Sequence, residues 1–399
     1  MKYEYPLTNR SVIVWILKTK SLLSSLYKRE GIPLFVKEGL GEIFERTGFL
    51  YYALLGNSRL CRRRLSATLT VATALTAVLF VTPVKAQLTV KMATLVPDGT
   101  SWATVIKEGA EKWKKLSNGR VTMNIYWGGV AGDDGDVVRK MRLGTLHAGV
   151  LTSVGLAEID TSVYALGVPL MYASYDEVYW VLEKMRPKLQ ANFEKKGFVP
   201  LNWVDAGWIY YFTQKPVTTP DDLKKLKLFA WDIDTNAIDI LKGMGFNPQP
   251  MPSAEIVTGL QTGRINAVPL SPQVAVITQY YNYAKNMTDL KFEILLGATL
   301  IDKRTWDKVP AELRAPLLQA MQETGKKLRE EIRKSGERDV EEMKKRGLNV
   351  VPVDARTRDA WIKVAESVYP KLRERVVGAE GFDEALKYRD EYRRTKTVK

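Results

Sequence analysis

From Leu88 onward the apolar and polar positions follow two alternating rhythms, and the rhythm changes at turn residues. Residues 88–95 alternate with period two, as a strand does when one face is buried. Pro97-Asp98-Gly99-Thr100-Ser101 then supplies a loop with N-cap residues, and 102–116 carries apolar residues at helical spacing. Ser117-Asn118-Gly119 ends that helix, 121–127 is the next strand, 133–143 a helix and 148–152 a strand. Such a βαβ rhythm implies a parallel sheet with helices on both faces. The grammar returns later: 226–231 reads as a strand, 234–243 as a helix, 246–251 as extended, 253–262 as a helix and 265–270 as a buried strand. Beyond Thr305 the chain is charge-rich, with helices expected over 306–346, 356–376 and 382–394 and a short strand over 348–353. Helices this long and polar pack across a sheet or bridge two lobes.

Two stretches fall into register. Met141-Arg142-Leu143-Gly144-Thr145-Leu146-His147-Ala148 parallels Leu260-Gln261-Thr262-Gly263-Arg264-Ile265-Asn266-Ala267. Each places Gly at a helix C-terminus, where a left-handed cap is needed, then a polar residue and Ala entering a strand. The pair suggests two lobes on one plan, and 399 residues suit about two domains.

Upstream the pattern differs. Arg62-Arg63-Arg64 precedes a 17-residue run, 65–81, without charge, Gly or Pro, and Pro83-Val84-Lys85-Ala86 follows. Charged, apolar and small-residue segments in that order describe a secretory signal peptide, over 61–86, with cleavage expected after Ala86. An uncleaved anchor is the alternative, although the run is at the lower limit for spanning a bilayer. Residues 1–60 are read as a dubious extension, with translation starting near Arg59.

Composition narrows the chemistry. Cys61 is the one Cys and His147 the one His. After cleavage no thiol remains, which removes disulfides, thiolate metal sites and Cys nucleophiles together. A His-rich metal site is impossible, and no cofactor is expected. The formal charge is +15, of which 1–86 carry +8; the remainder mixes 47 basic with 40 acidic residues. Interspersed charge reads as a solvated surface, so nucleic acid is not an expected partner. Asp133-Asp134-Gly135-Asp136 lacks the downstream Glu of a calcium loop and is better explained as N-cap and dipole partners of a helix.

Six stretches stand in order. They are Lys91-Met92-Ala93-Thr94-Leu95-Val96-Pro97, Gly119-Arg120-Val121, Arg139-Lys140-Met141-Arg142-Leu143-Gly144, Gly167-Val168-Pro169-Leu170-Met171, Lys215-Pro216-Val217 with Thr219-Pro220-Asp221-Asp222-Leu223, and the Leu260 to Ala267 stretch. In this the chain resembles the solute-binding proteins of tripartite ATP-independent periplasmic (TRAP) transporters, of the DctP type. The resemblance implies an α/β, two-lobed, periplasmic-binding-protein-like clamp. Each lobe is a mixed, mostly parallel sheet flanked by helices, with long C-terminal bridging helices. Lobe I is expected over 88–208 plus about 293–335, and lobe II over 209–292 plus about 336–399. It implies a periplasmic receptor, monomeric or homodimeric, that hands a small organic solute to TRAP membrane subunits and is not an enzyme. An exported carboxylate-using enzyme and a ligand-sensing domain are the rival readings.

The departure from the family concerns its ligand-gripping Arg. In the matching stretch, 222–231, Phe229 stands in the Arg place, and Gly207-Trp208-Ile209-Tyr210-Tyr211-Phe212 holds no upstream base either. Either the solute lacks a carboxylate, or Arg264 or Lys215 serves, or a metal bridges. Candidate ligand contacts are Trp231 and Asp232 at a strand end, with Phe229, Trp208 and Tyr211 as aromatic walls. Ser271 and Gln273, and Thr152 and Ser153, stand at corresponding strand ends; Trp102 either closes over the ligand or begins a helix core.

Overall fold

The computed structural model describes residues 87–397; the signal segment and the extension before it lie outside that range. Strand β1 (Leu88–Thr94) leads to α1 (Ser101–Leu116), where Thr100 Oγ1 accepts from Ala103 N as the N-cap. Next come β2 (Val121–Tyr126), α2 (Asp134–Leu143), β3 (Ala148–Thr152), α3 (Ser153–Ala157), a 3₁₀ turn at Thr161–Leu166 and α4 (Tyr175–Lys195). The middle of the chain is β4 (Phe198–Thr213), α5 (Pro220–Lys224), β5 (Lys227–Trp231), α6 (Thr235–Gly243), β6 (Asn247–Met251), α7 (Ile256–Thr262) and β7 (Ala267–Leu270). Then follow α8 (Pro272–Thr278), β8 (Asn286–Thr288), β9 (Glu293–Asp302), α9 (Lys303–Trp306), α10 (Ala311–Lys345) and β10 (Asn349–Val351). Helix α11 (Ala355–Glu366), the short α12 (Tyr369–Lys371), a π-helical turn at Leu372–Val377 and α13 (Ala379–Thr397) close the chain.

The strands are ordered β2-β1-β3-β9-β4-β7-β5-β6, with β8 joining β4 to β10. Strand β4 belongs to both halves. Its Phe198–Ile209 portion runs antiparallel to β9, and Tyr210–Thr213 pairs with β7. The change of partner coincides with a register shift between Asp205 and Trp208, where Gly207 takes φ +90° and donates its N–H to Asp205 Oδ1 (3.0 Å). A bulge that re-aims one strand is what lets a continuous sheet serve two lobes.

The internal match predicted from sequence has a structural counterpart. Gly144 and Gly263 end α2 and α7 in the left-handed conformation, φ 77° and 70°. His147 N donates to Lys91 O (2.8 Å) while its Nδ1 accepts from Lys91 N (3.0 Å). Asn266 N likewise donates to Lys227 O (2.9 Å) while its Oδ1 accepts from Lys227 N (2.7 Å). The two polar residues therefore tie a new strand to its parallel neighbour, once in each half.

Some expected elements change. The helix expected over 356–376 stops at Glu366, because Pro370 has no N–H to give the Glu366 carbonyl. The one expected over 306–346 splits, with Pro310 at the N-cap of α10. Three apolar clusters hold the layers: one between α1, α10 and the first half-sheet, one between α7, β5 and β7, and a large one joining α2, α4, α13 and the opposite faces.

Candidate functional site

Side chains at the carboxyl ends of β3 and β5 meet the start of β9 around a cavity of about 170 Å³. Ser153 and Val154 come from the N-terminus of α3, Tyr164 from the 3₁₀ turn and Tyr211 from β4. Leu228 to Trp231 contribute from β5, Ala237, Ile240 and Leu241 from α6, and Phe292 to Leu295 from the entry to β9. Both half-sheets therefore line one space. The walls are mostly apolar: Tyr211 meets Phe292 edge-on (4.9 Å) and stacks on Trp361 (6.0 Å), while Phe229 meets Trp231 edge-on (5.8 Å). Leu170 holds φ 54° beside this wall, with its N–H on Phe292 O (2.7 Å).

The polar groups in the lining are few and specific. Asp234 caps α6, its Oδ1 accepting from Ala237 N (2.9 Å) and its Oδ2 from the Tyr164 hydroxyl (2.6 Å). Burial, reinforced by the charge of Asp234, pushes the Glu293 carboxyl up to about 8. Burial also raises the Tyr164 and Tyr211 hydroxyls, with Asp234 adding to the first and Glu293 to the second. Among the described residues no Lys, Arg or His lines the cavity.

Four of the ten expected contacts, Trp231, Phe229, Tyr211 and Ser153, line this space. The other six are elsewhere. Trp102 is buried with Val90, Met92 and Ile106, and Trp208 packs on Tyr175 (5.5 Å). Thr152 donates its hydroxyl to the buried Asp134 (2.6 Å), and Ser271 caps α8 by accepting from Val274 N (3.4 Å). Gln273 is buried with Nε2 on Ser101 Oγ (3.4 Å), and Asp232 is exposed. Of the cations considered for a carboxylate, Lys215 is exposed and Arg264 pairs with Glu255 (2.7 Å) outside the lining. Glu293 and Tyr164 were not anticipated; a Glu inside the apolar run from Phe292 to Leu296 was the available signal.

Asp133 corrects a local expectation. It occupies the N-cap position of α2 without capping it. Its carboxylate instead accepts from Ser253 N (3.0 Å) and from the Ser253 hydroxyl, across from α2 to the segment after β6. With Tyr164–Asp234 and Ser101–Gln273, it joins the two halves around the cavity.

Residues 92–375 match the bacterial extracellular solute-binding proteins of family 7, the DctP family. The chain belongs to this family. The C4-dicarboxylate-binding periplasmic protein DctP of Rhodobacter capsulatus is 27% identical over 80% of this chain and 96% of its own. The 2,3-diketo-L-gulonate-binding periplasmic protein YiaO of Escherichia coli is 27% identical over 60% of this chain and 73% of its own. Among solved structures, a TRAP solute-binding protein of Sulfurospirillum deleyianum with bound succinate superposes with a TM-score of 0.70 at 22% identity. That match covers 75% of this chain and 98% of that one. The galactonate complex of the Advenella mimigardefordensis sugar acid binding protein gives 0.72 at 18% identity, covering 77% and 99%.

As a DctP-family member the protein is a periplasmic solute-binding receptor of a TRAP-type secondary transporter. It captures a small organic solute between two lobes and delivers it to membrane subunits. Family members and solved neighbours are receptors. Among the described residues no helix is long and apolar enough to cross a membrane.

Proposed function

We propose that the cavity between β5, α6 and the start of β9 is the solute site of this TRAP receptor, and that the protein carries its cargo without transforming it. The observation that carries this reading is a space lined by both half-sheets, where the hydroxyls of Ser153 and Tyr211 and the Glu293 carboxyl have no hydrogen-bond partner among the described residues. Trp231, Phe229, Tyr211 and Ser153 touch the solute directly. Asp232 stands at the rim, and Trp102, Trp208, Thr152, Ser271 and Gln273 hold the surrounding frame. The lobes run over 88–208 plus about 293–335 and over 209–292 plus about 336–399, with closure about the β4 bulge. Export by the 61–86 signal, with cleavage after Ala86, and a monomeric or homodimeric state complete the reading.

Thermal-shift and calorimetric screening of the purified protein tests the site, since a solute that binds the native state raises the melting temperature. Ala237→Trp, which fills the cavity from α6, is expected to abolish the shift given by any solute that parent protein binds. Succinate and malate are expected to bind weakly, because no cation in the lining answers their carboxylates. A sub-micromolar dissociation constant for either would defeat that expectation.

A further inference from the structure

We propose that Asp205 and Arg333 are positioning residues for solute capture: the ion pair between them fixes the bend of β4 and so favours the arrangement in which the two halves meet around the cavity. This rests on closure about the β4 bulge, proposed above, and names the side chains that bias it.

The chain passages between the proposed lobes lie together at this bend. Strand β4 crosses at its register shift, between Asp205 and Trp208. The entry to β9 runs beside it, with Phe292 N donating to Ile209 O (3.0 Å) and the Lys291 ammonium over the Trp208 ring (5.8 Å). Helix α10 lies against the bulge itself: a Cβ on Gly207 would stand 3.4 Å from Ile332 Cγ2, and Arg333 is the next residue.

Helix α4 holds the bulge on both sides. Tyr179 donates its hydroxyl to Asp205 Oδ2 (2.6 Å), before the bend. Tyr175, one turn earlier on the same helix, accepts from Trp208 N (3.3 Å), beyond the bend. The other Asp205 oxygen accepts from Gly207 N (3.0 Å), at the bend itself. Any change of angle at Gly207 moves Asp205 relative to Trp208, so these bonds hold together at one aim of the strand.

Arg333 completes the grip from α10. Its guanidinium lies over Tyr175 (4.2 Å) and Tyr179 (5.1 Å), and Nη2 reaches Asp205 Oδ2 at 3.5 Å. The Asp205 side chain is wholly buried, and that of Arg333 is 30% exposed. Burial raises the Asp205 carboxyl, and the charge of Arg333 is the largest influence opposing it. Arg329 lies over Tyr179 as well (4.9 Å), but it donates to Trp203 O, before the bend. Among the described residues, Arg333 is the one cation paired with Asp205. Without it the buried carboxylate loses its partner, and the aim of β4 that the carboxylate sets loses its preference. The effect reaches the cavity through Tyr211, which lies beyond the bend on the same strand and forms part of the wall. A solute held by both halves binds the closed state, so its apparent affinity follows the closed fraction.

Disulfide trapping reads the closed population without a solute. Asp133→Cys with Ser253→Cys places two thiols at a contact between the halves, in the full chain carrying Cys61→Ser. Oxidised glutathione then forms the bridge at a rate set by how often the halves meet, referred to the rate at which iodoacetamide modifies the same thiols. Arg333→Gln and Asp205→Asn are each expected to slow trapping about tenfold, and both together no more than either alone, since one pair is lost in every case. Arg333→Lys keeps the charge and is expected to restore part of the rate. Tyr179→Phe, a milder change that removes one bond to the same carboxylate, is expected to slow trapping as well, and it serves where Asp205→Asn does not fold. A pair with a purely structural role would lower the melting temperature and leave the trapping rate unchanged, and that result would overturn the proposal. So would losses that add in the double variant. If the bridge does not form even with Asp205 and Arg333 intact, the halves do not meet as closure requires, and the failure lies with that reading.

Discussion

Asp134 illustrates what burial does to a single carboxylate in this fold. It opens α2, where a negative charge is ordinarily favourable, yet it is 3% exposed and desolvation raises it to about 6 despite hydrogen bonds from Thr152 N and Oγ1. The folded value lies above the unfolded one, so its stabilising contribution is complete below about pH 4 and is lost as pH rises through 6. Asp134→Asn keeps acceptors for Thr152 and removes the titration. Its stability relative to parent is expected to improve between pH 4 and 7, by at most about 3 kcal/mol at 1.4 kcal/mol per pH unit. Urea midpoints at the two pH values measure this; a constant offset between the proteins would refute the burial argument. Phe229 carries the complementary lesson. It packs with Met251 and Ile256 as well as lining the cavity, so the residue in the family's Arg place is structural and site-lining at once.

At the scale of elements, two glycines separate backbone conformation from close packing. Gly263 caps α7 at φ +70° with open space around it, so Gly263→Ala is expected to lose about 1 kcal/mol, the cost of a left-handed Cβ. Gly297 on β9 has ordinary backbone freedom, but a Cβ there would lie 2.6 Å from Leu151 O on β3. Gly297→Ala is expected to lose roughly 1–3 kcal/mol and to disturb the β3–β9 ladder. Urea denaturation ranks the pair, and equal losses would contradict the packing argument. The C-terminal helix provides the third case. Arg393 on α13 donates Nε to Glu177 on α4 (2.6 Å), and Glu177 is 1% exposed. Removing Arg393 leaves that carboxylate buried without its charge partner. Arg393→Ala is therefore expected to destabilise by about 3 kcal/mol, and Glu177→Gln in the same chain should recover a good part. If the double variant is no more stable than the single, the pair does not act through charge.

At the scale of the molecule, the two halves meet through a handful of polar contacts as well as through β4. Asp133 with Ser253 is a charge-assisted pair across the closure, of a kind that contributes on the order of 1.5–3 kcal/mol. A contact made only when the halves are together shifts the population toward closure, and so tightens solute binding. Asp133→Ala is expected to weaken solute affinity about tenfold and to raise the radius of gyration of the solute-free protein in small-angle scattering. Unchanged affinity with unchanged scattering would show that the contact does not hold the clamp.

The local rhythm of the chain determined a large part of this protein. Period-two and helical spacings named β1 to β3 and β5 to β7, with the helices α1, α2 and α6, within a residue or two at most boundaries, because each element buries one face of its own; α4, β4, β8 and β9 were not among the elements they named. Gly144 and Gly263 marked their helix ends, and the pairing of His147 with Asn266 exposed the repeated plan before any fold was drawn. Scarcity of Cys and His narrowed the chemistry by itself. What depended on the tertiary structure was everything that comes from distance in the chain. The sixteen-residue β4 changes partners at a bulge. Asp133, by every local sign a helix cap, finds Ser253 120 residues away. Glu293 and Asp234 converge on a cavity with no cation, and Trp102 and Trp208 turn into the core. Spacing reports which face a residue occupies on its own element; which faces meet, and what lies between them, is decided only when the elements pack.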